Sequence, residues 1–379
     1  MKKQYKLEES RKVHNIIYLA IISLLIFSLF FSNSMSILLK LKPKYSYNNE
    51  LEIHFIDVGQ GDAIAIKFDT NEIMLIDTGI ETNKDKLFNY LDNIVLFDKT
   101  IDYLVLTHID TDHSGNAIDI LNTYTVKNIY RPKVNSKAED NLATNSNDTF
   151  DKIVSIAKSK NINMIYNQVG VSLTLGLANL TWLSPIAVNL NDRLDNNEYS
   201  PVIRLDYKGY SALFTGDISS ETEAVLIDTY IDNELDVDIL KVAHHGSAYS
   251  TSEEFLQATT PKYACISVGE NTYGHPSNKL IDRILQYDDN CGSNLYDNLF
   301  TTNSHGNIIM SIDDDISVSA IRNIDDYNFV SYFVYAIIAI GILLFFMALP
   351  YMKVFRKNIR FAIQNRKFEK YLEKDNKTE

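Results

Sequence analysis

Two uncharged runs bracket this chain and limit what it can become. Residues 16–39 (IIYLAIISLLIFSLFFSNSMSILL) hold no charge over 24 positions, and residues 328–352 (NFVSYFVYAIIAIGILLFFMALPYM) none over 25. Crossing a bilayer core takes about 20 apolar residues, so each run is long enough for a transmembrane helix. The first exceeds the apolar core of a secretory signal, about 7–15 residues, and no A-x-A-like site follows it. An uncleaved anchor is therefore expected there. Basic residues set the orientation. Twelve lie outside the two runs near their ends (Lys2, Lys3, Lys6, Arg11 and Lys12; Lys353, Arg356, Lys357, Arg360, Arg366, Lys367 and Lys370), against Lys40, Lys42, Lys44 and Arg322 between them. The expected topology is a two-pass protein of the cell membrane. It has a cytoplasmic N-terminal tail (1–15), a basic cytoplasmic tail (353–379) and an extracytoplasmic domain over residues 50–320.

Charge divides along the same lines. Residues 45–327 hold 19 Lys+Arg and 43 Asp+Glu, a net −24, whereas residues 353–379 hold nine basic and four acidic residues, a net +5. A basic tail suits anionic lipid, so the bilayer is one expected partner. The acidic middle excludes a surface that coats nucleic acid non-specifically, but not a local phosphate site built around a cation. Cys265 and Cys291 are too few for a disulfide framework or a multi-cysteine zinc module. Cys265, inside the run YACISVG, reads as a packed core thiol.

Between the apolar runs, strands alternate with helices. Strand-like runs are 51–59, 63–69, 72–77 and 101–107, then 171–176, 178–184, 200–207, 209–217, 236–247, 263–269 and 306–312. Helical spacing appears at 85–94, 116–124, 149–162, 219–231 and 278–288, and the polar segment 135–148 reads as a loop. Two β-rich halves with interleaved helices predict an α/β fold, a four-layer αβ/βα sandwich. Polar residues recur at strand ends, where α/β proteins keep their sites.

The densest such end is LTHIDTDHSGN, residues 106–116. His108, Asp110 and Asp112 alternate, so an extended segment points all three one way, and His113 follows at the turn. Imidazole nitrogen with carboxylate oxygen is a ligand set for Zn²⁺, Mn²⁺ or Fe²⁺. The motif has company: Asp217 ends LFTGD, His244 and His245 end LKVAHH, and His275 lies in YGHP, so five of the eight histidines sit at strand ends. Such clustering points to a metal site rather than to scattered core histidines.

The ordered set HFIDVGQGDAIAI, MLIDTG, LVLTHIDTDHSGN, LFTGD, LKVAHHGS and YGHPS resembles the metallo-β-lactamase superfold. More narrowly, over residues 50–312, it is similar to the hydrolase domain of ComEC-type DNA-uptake competence proteins. NNEYSPVIRLDYKGYSALFTGD (196–217) fits the same branch. The resemblance implies one or two divalent ions, Zn²⁺ or Mn²⁺. His108 and Asp110 would hold one, Asp112, His113 and His244 the other, with Asp217 bridging. His245 is the alternative to His244. Asp57, Gln60 and Asp62 would line or brace the site, and Ser247 and His275 would contact substrate. Asp112, Asp217 and His275 are the candidates for proton transfer. No histidine lies between His113 and His244, and Asp110 stands where a histidine is common, so the first ion site is oxygen-rich and short of ligands, unlike that of a β-lactamase. The function expected is metal-dependent hydrolysis of a phosphodiester, DNA or a cell-envelope polymer. The alternatives are a teichoic-acid or phosphocholine esterase and a non-catalytic binding protein on this fold.

Overall fold

A computed structural model describes residues 50–95, 99–134, 148–186, 196–231, 234–321 and 357–366. The expected spans 16–39 and 328–352, the N-terminal tail and most of the loop 135–148 lie outside these residues. Among the described residues no helix is long and apolar enough to cross a membrane. The described residues between 50 and 321 form one compact unit.

The strands of this unit are β1 (Leu51–Phe55), β2 (Ile64–Lys67), β3 (Ile73–Ile76), β4 (Thr100–Val105), β5 (Thr125–Arg131), β6 (Asn163–Tyr166), β7 (Ser172–Leu175), β8 (Ala178–Trp182), β9 (Ile203–Tyr207), β10 (Tyr210–Phe214), β11 (Ile239–Lys241), β12 (Tyr263–Ile266), β13 (Leu299–Thr301), β14 (Asn307–Ile312) and β15 (Ile316–Ile321). They make two sheets, in the orders β15-β14-β1-β2-β3-β4-β5-β6 and β13-β12-β11-β10-β9-β8-β7. Each sheet is antiparallel on one side and parallel on the other: β3 to β6 in the first, β10 to β13 in the second.

Parallel neighbours need a crossover, and here helices supply it. Helices α1 (Lys84–Ile94), α2 (Ala117–Thr123) and α3 (Asp148–Ser159) link β3 to β6. Helices α4 (Ser220–Thr229), α5 (Glu253–Thr259) and α6 (Asn278–Cys291) link β10 to β13. Side-chain alternation assigns the layers. Met74 and Ile76 of β3 face Ala212 and Phe214 of β10 in the core between the sheets. Leu75 points the other way, among Leu87, Ile120 and Phe150 of the first helix layer. Leu213 points among Leu226, Phe255 and Ile284 of the second. The result is the four-layer αβ/βα sandwich that the residue pattern predicts. At its centre Trp182 is fully buried, stacked on Tyr130 at 4.7 Å, with its indole N–H donating to Asn167 Oδ1 at 3.1 Å. Emptying such a position to alanine costs about 3–5 kcal/mol. Cys265 packs into this core; it and Cys291 are both free thiols. The parallel halves carry their carboxyl ends to the loops that hold Asp77, His108, Asp217 and His245.

Candidate metal centre

Asp62, His113, Asp217 and His245 are buried, and one ligand atom of each lies within 4.8 Å of all the others. The local chain explains each placement. The turn after β1 closes onto the loop after β4 through Asp62 N–H, which donates to Asp112 carbonyl oxygen at 3.1 Å. Gly61 permits this approach: its φ is +137°, and a Cβ there would collide with that same carbonyl. Asp57 and Gln60 brace the turn. Asp57 Oδ1 accepts from Gly59 N–H at 3.0 Å and its Oδ2 pairs with Lys86 at 3.0 Å, while Gln60 Oε1 accepts from Gly269 N–H at 3.3 Å. Asp62 goes further than bracing and enters the cluster itself.

Asp77 directly follows β3, as the last residue of a strand-like run to which the sequence gives no site role. It is fully buried and accepts from Thr107 N–H (2.8 Å) and Thr107 hydroxyl (2.6 Å), and its Oδ2 lies 2.7 Å from His113 Nδ1. That contact fixes the imidazole with Nε2 inward, as a carboxylate behind a metal-binding histidine does. On the far side, His245 Nδ1 lies 2.8 Å from Ser267 carbonyl oxygen, so its Nε2 also turns inward. The two Nε2 atoms are 3.2 Å apart, and Asp217 Oδ2 stands 3.1 and 3.2 Å from them. Asp112 Oδ2 approaches His245 Nε2 at 3.4 Å from the open side, its side chain 30% exposed.

Of the histidine pair, His245 enters the cluster, and His244, its side chain 32% exposed, stands at the rim with Nε2 4.0 Å from Asp217 Oδ2. The backbone decides this. Both residues take left-handed φ of 51°, followed by Gly246 at φ 83°, where a Cβ would press on Pro276. Sequence periodicity cannot anticipate two consecutive left-handed histidines. His108 and Asp110 form a second, looser arm: His108 Nε2 is 3.7 Å from Asp110 Oδ2, and Asn196 Nδ2 donates to Asp110 Oδ1 at 2.7 Å. Ser247 is buried beneath the rim, its hydroxyl accepting from Tyr249 N–H at 3.3 Å. His275 lies beside His244, ring centroids 5.6 Å apart.

Lys241, which lies in LKVAHHGS but has no site role in the sequence pattern, is fully buried at the end of β11. It pairs with Asp62 Oδ2 at 2.6 Å, donates to Gly216 carbonyl oxygen at 2.8 Å and sits 3.5 Å from Asp217 Oδ1. A charged residue inside the apolar run ILKVA is the available signal, since lysine is almost never buried unpaired.

Charge compensation governs proton affinity here. Burial opposes ionisation of Asp217, yet His113, His245 and Lys241 hold its carboxyl well below the usual range. Burial likewise opposes protonation of His113 and His245, but the Asp217 carboxylate, aided by Asp77 at one ring and by Asp112 and Asp62 at the other, raises both well above the ordinary imidazole value. At His108 burial, with the neighbouring His113, outweighs the pull of Asp217 and Asp112 and drives the ring down to about 3.

The donor set suits a divalent cation. Two imidazole nitrogens aim at one point, carboxylates surround it, and buried Asp62 Oδ1, Asp217 Oδ1 and His108 Nε2 have no hydrogen-bond partner among the described residues.

Residues 56–161 match the metallo-beta-lactamase superfamily. The chain carries a metallo-β-lactamase domain. Curated relatives of this domain include ComE operon protein 3 of Bacillus subtilis (strain 168), 32% identical over 267 residues that cover 64% of this chain and 32% of that protein. Competence protein ComA of Neisseria gonorrhoeae is 26% identical over 245 residues, covering 64% of this chain and 31% of that protein. The chain thus spans about a third of the length of these relatives. Among solved structures, the metallo-beta-lactamase fold protein YhfI from Bacillus subtilis aligns at a TM-score of 0.42 and 12% identity, over 69% of this chain and all of that one. The metallo-β-lactamase domain is a metal-dependent hydrolase fold, here with a candidate site for a divalent cation.

Proposed function

We propose that the chain is a membrane-anchored, metal-dependent phosphodiesterase of nuclease type, acting outside the membrane. The observation that carries this reading is the convergence of Asp62, His113, Asp217 and His245 beside the partly open Asp112, in a domain related to competence proteins. A bound Zn²⁺ or Mn²⁺ would supply Lewis acidity and lower the pKa of a water. His113, His245 and Asp217 would hold that ion, with Asp62 closing the buried side. His108 and Asp110 offer a weaker place for a second.

The chain's own residues have distinct tasks. Asp112 reaches both the cluster and solvent, so its carboxylate can take a proton from the attacking water and pass it outward. Asp217 orients the two imidazoles. His275 has its proton affinity lowered by burial and by the imidazole of His244. It presents a neutral ring that can hydrogen-bond a substrate oxygen. Ser247 supports the rim beneath it. The uncharged runs 16–39 and 328–352 would anchor the domain in the bilayer, with both termini cytoplasmic.

A second reading has its own observation. The net charge of −24 over residues 45–327 repels a long polyanion, which suits a smaller cell-envelope phosphoester such as a phosphocholine or teichoic-acid substituent. The deciding assay uses the full chain in detergent with Mn²⁺ or Zn²⁺, an oligonucleotide against a phosphocholine ester, and Asp112→Ala beside wild type. The nuclease reading expects oligonucleotide hydrolysis that the Asp112→Ala variant loses. Equal hydrolysis by both proteins would remove the proposed role of Asp112, and cleavage of the phosphocholine ester alone would favour the second reading.

A further inference from the structure

Tyr273 is 76% exposed, yet the loop that carries it is tightly held. The Asn271 side chain closes that loop. Its Oδ1 accepts from Tyr273 N–H at 3.1 Å and from His275 N–H at 3.0 Å, and its Nδ2 donates to Gly269 carbonyl oxygen at 2.9 Å and to His275 carbonyl oxygen at 2.8 Å. This uses the whole hydrogen-bonding capacity of one amide. Gly274, at φ +77°, makes the bend between Tyr273 and His275. A single exposed aromatic is ordinary on a protein surface. One presented on a fixed loop, burying little of its own surface, is not accounted for by folding.

Its neighbours give it a direction. Tyr273 and His275 have ring centroids 5.9 Å apart at 32°, His275 and His244 5.6 Å at 79°, and His244 and His245 6.2 Å at 75°. His245 Nε2 belongs to the buried cluster. A line of rings thus leads from solvent to the candidate metal centre. Within it, His275 Nδ1 has no hydrogen-bond partner among the described residues.

We propose that Tyr273 is a base-stacking platform: its exposed face receives an unpaired nucleobase flanking the phosphodiester held at the cluster. This rests on the nuclease reading above and sharpens its substrate to single-stranded nucleic acid. The acidic domain needs a grip of this kind if it is to hold nucleic acid. Proteins that grip nucleic acid through its phosphates use surface lysine and arginine, and a domain at −24 cannot rely on that. Stacking on an aromatic face is independent of net charge and tolerant of sequence, and paired bases inside a duplex do not offer their faces to it.

The test uses the full chain in detergent with Mn²⁺. The substrate is a short single-stranded oligonucleotide with one hydrolysable phosphodiester and methylphosphonate linkages elsewhere. A second version carries an abasic nucleotide on one side of that bond, a third an abasic nucleotide on the other side. For Tyr273→Ala, KM should rise about 5- to 100-fold with kcat kept, while Tyr273→Phe stays near wild type. One abasic substrate should raise the wild-type KM by a similar factor and add nothing further in Tyr273→Ala. An unchanged KM in Tyr273→Ala, or fully additive losses, would overturn the stacking role alone. If the wild type cleaves no oligonucleotide, the nuclease reading fails and this inference with it.

Discussion

His108 and His113 belong to one short motif, and their ring centroids lie only 4.1 Å apart, yet they occupy opposite chemical settings. His113 is gripped between Asp77 and Asp217, and those carboxylates raise its proton affinity far above the ordinary value. His108 meets Thr107 hydroxyl at 2.9 Å on one nitrogen and no hydrogen-bond partner on the other among the described residues, and burial pushes it to about 3. The aspartates differ in the same way. Asp112 reaches the cluster, whereas Asp110 is tied to Asn196. Residue type alone therefore does not divide this motif. The carboxylates brought in by β3 and β10 do, making one dense centre and one sparse arm.

The contrast breaks most severely at Lys241. Lys241→Met leaves Asp62 buried without its cation, a loss of about 3–5 kcal/mol. Thermal unfolding of the metal-free protein should show a large drop in Tm, and saturating Mn²⁺ should recover more Tm in the variant than it adds to wild type. An unchanged metal-free Tm would mean that the lysine does not hold the centre together. Next in size, Asp217→Ala should weaken cation binding by at least about 100-fold, because it removes the oxygen shared by both inward imidazoles. Equilibrium dialysis with elemental analysis measures this directly.

Asp77→Ala tests orientation instead of ligation. Affinity should fall about 10- to 100-fold while the binding stoichiometry stays the same. Proton linkage separates the two histidines of the dense centre from His108. His113 and His245 carry raised proton affinities in the metal-free protein, so a cation must displace their protons. Affinity should therefore rise with pH, by about tenfold per pH unit for each proton displaced, until the pH passes their metal-free values. A flat profile through neutral pH would contradict the assignment of these two rings. The smallest effect belongs to the sparse arm. Asp110→Ala should change the affinity of the tightest site by less than about tenfold, since Asp110 lies outside the dense cluster.

Much of this is legible in the residues. Continuous or alternating apolar runs announce β1 to β4, β7 to β12 and β14, because strands packed in the interior must be apolar. TVKNIYR carries no such signal, yet it forms β5 (Thr125–Arg131): its exposed Lys127 and half-buried Asn128 are adjacent and so interrupt the apolar pattern on both faces of the strand. Helix α5 is likewise invisible to periodicity: its only large apolar residues, Phe255 and Leu256, are adjacent, whereas the equally short α2 repeats apolar residues at Ala117, Ile120 and Leu121. Within the site, His108, Asp110, Asp112, His113, Asp217 and the His244–His245 pair stand out as titratable groups at strand ends. Asp77, a lone carboxylate after its strand, and Lys241, inside an apolar run, are less conspicuous, since their partners, His113 and Asp62, are 36 and 179 positions away in the chain. The choice between His244 and His245 depends on a left-handed backbone that no periodicity encodes.

Anomalous diffraction from crystals of the full chain grown with Mn²⁺ or Zn²⁺ would locate the cation. A peak is expected between His113 Nε2 and His245 Nε2, in contact with Asp217. A strong peak elsewhere with none between those two nitrogens, or no peak at any metal concentration that the crystals tolerate, would contradict that placement.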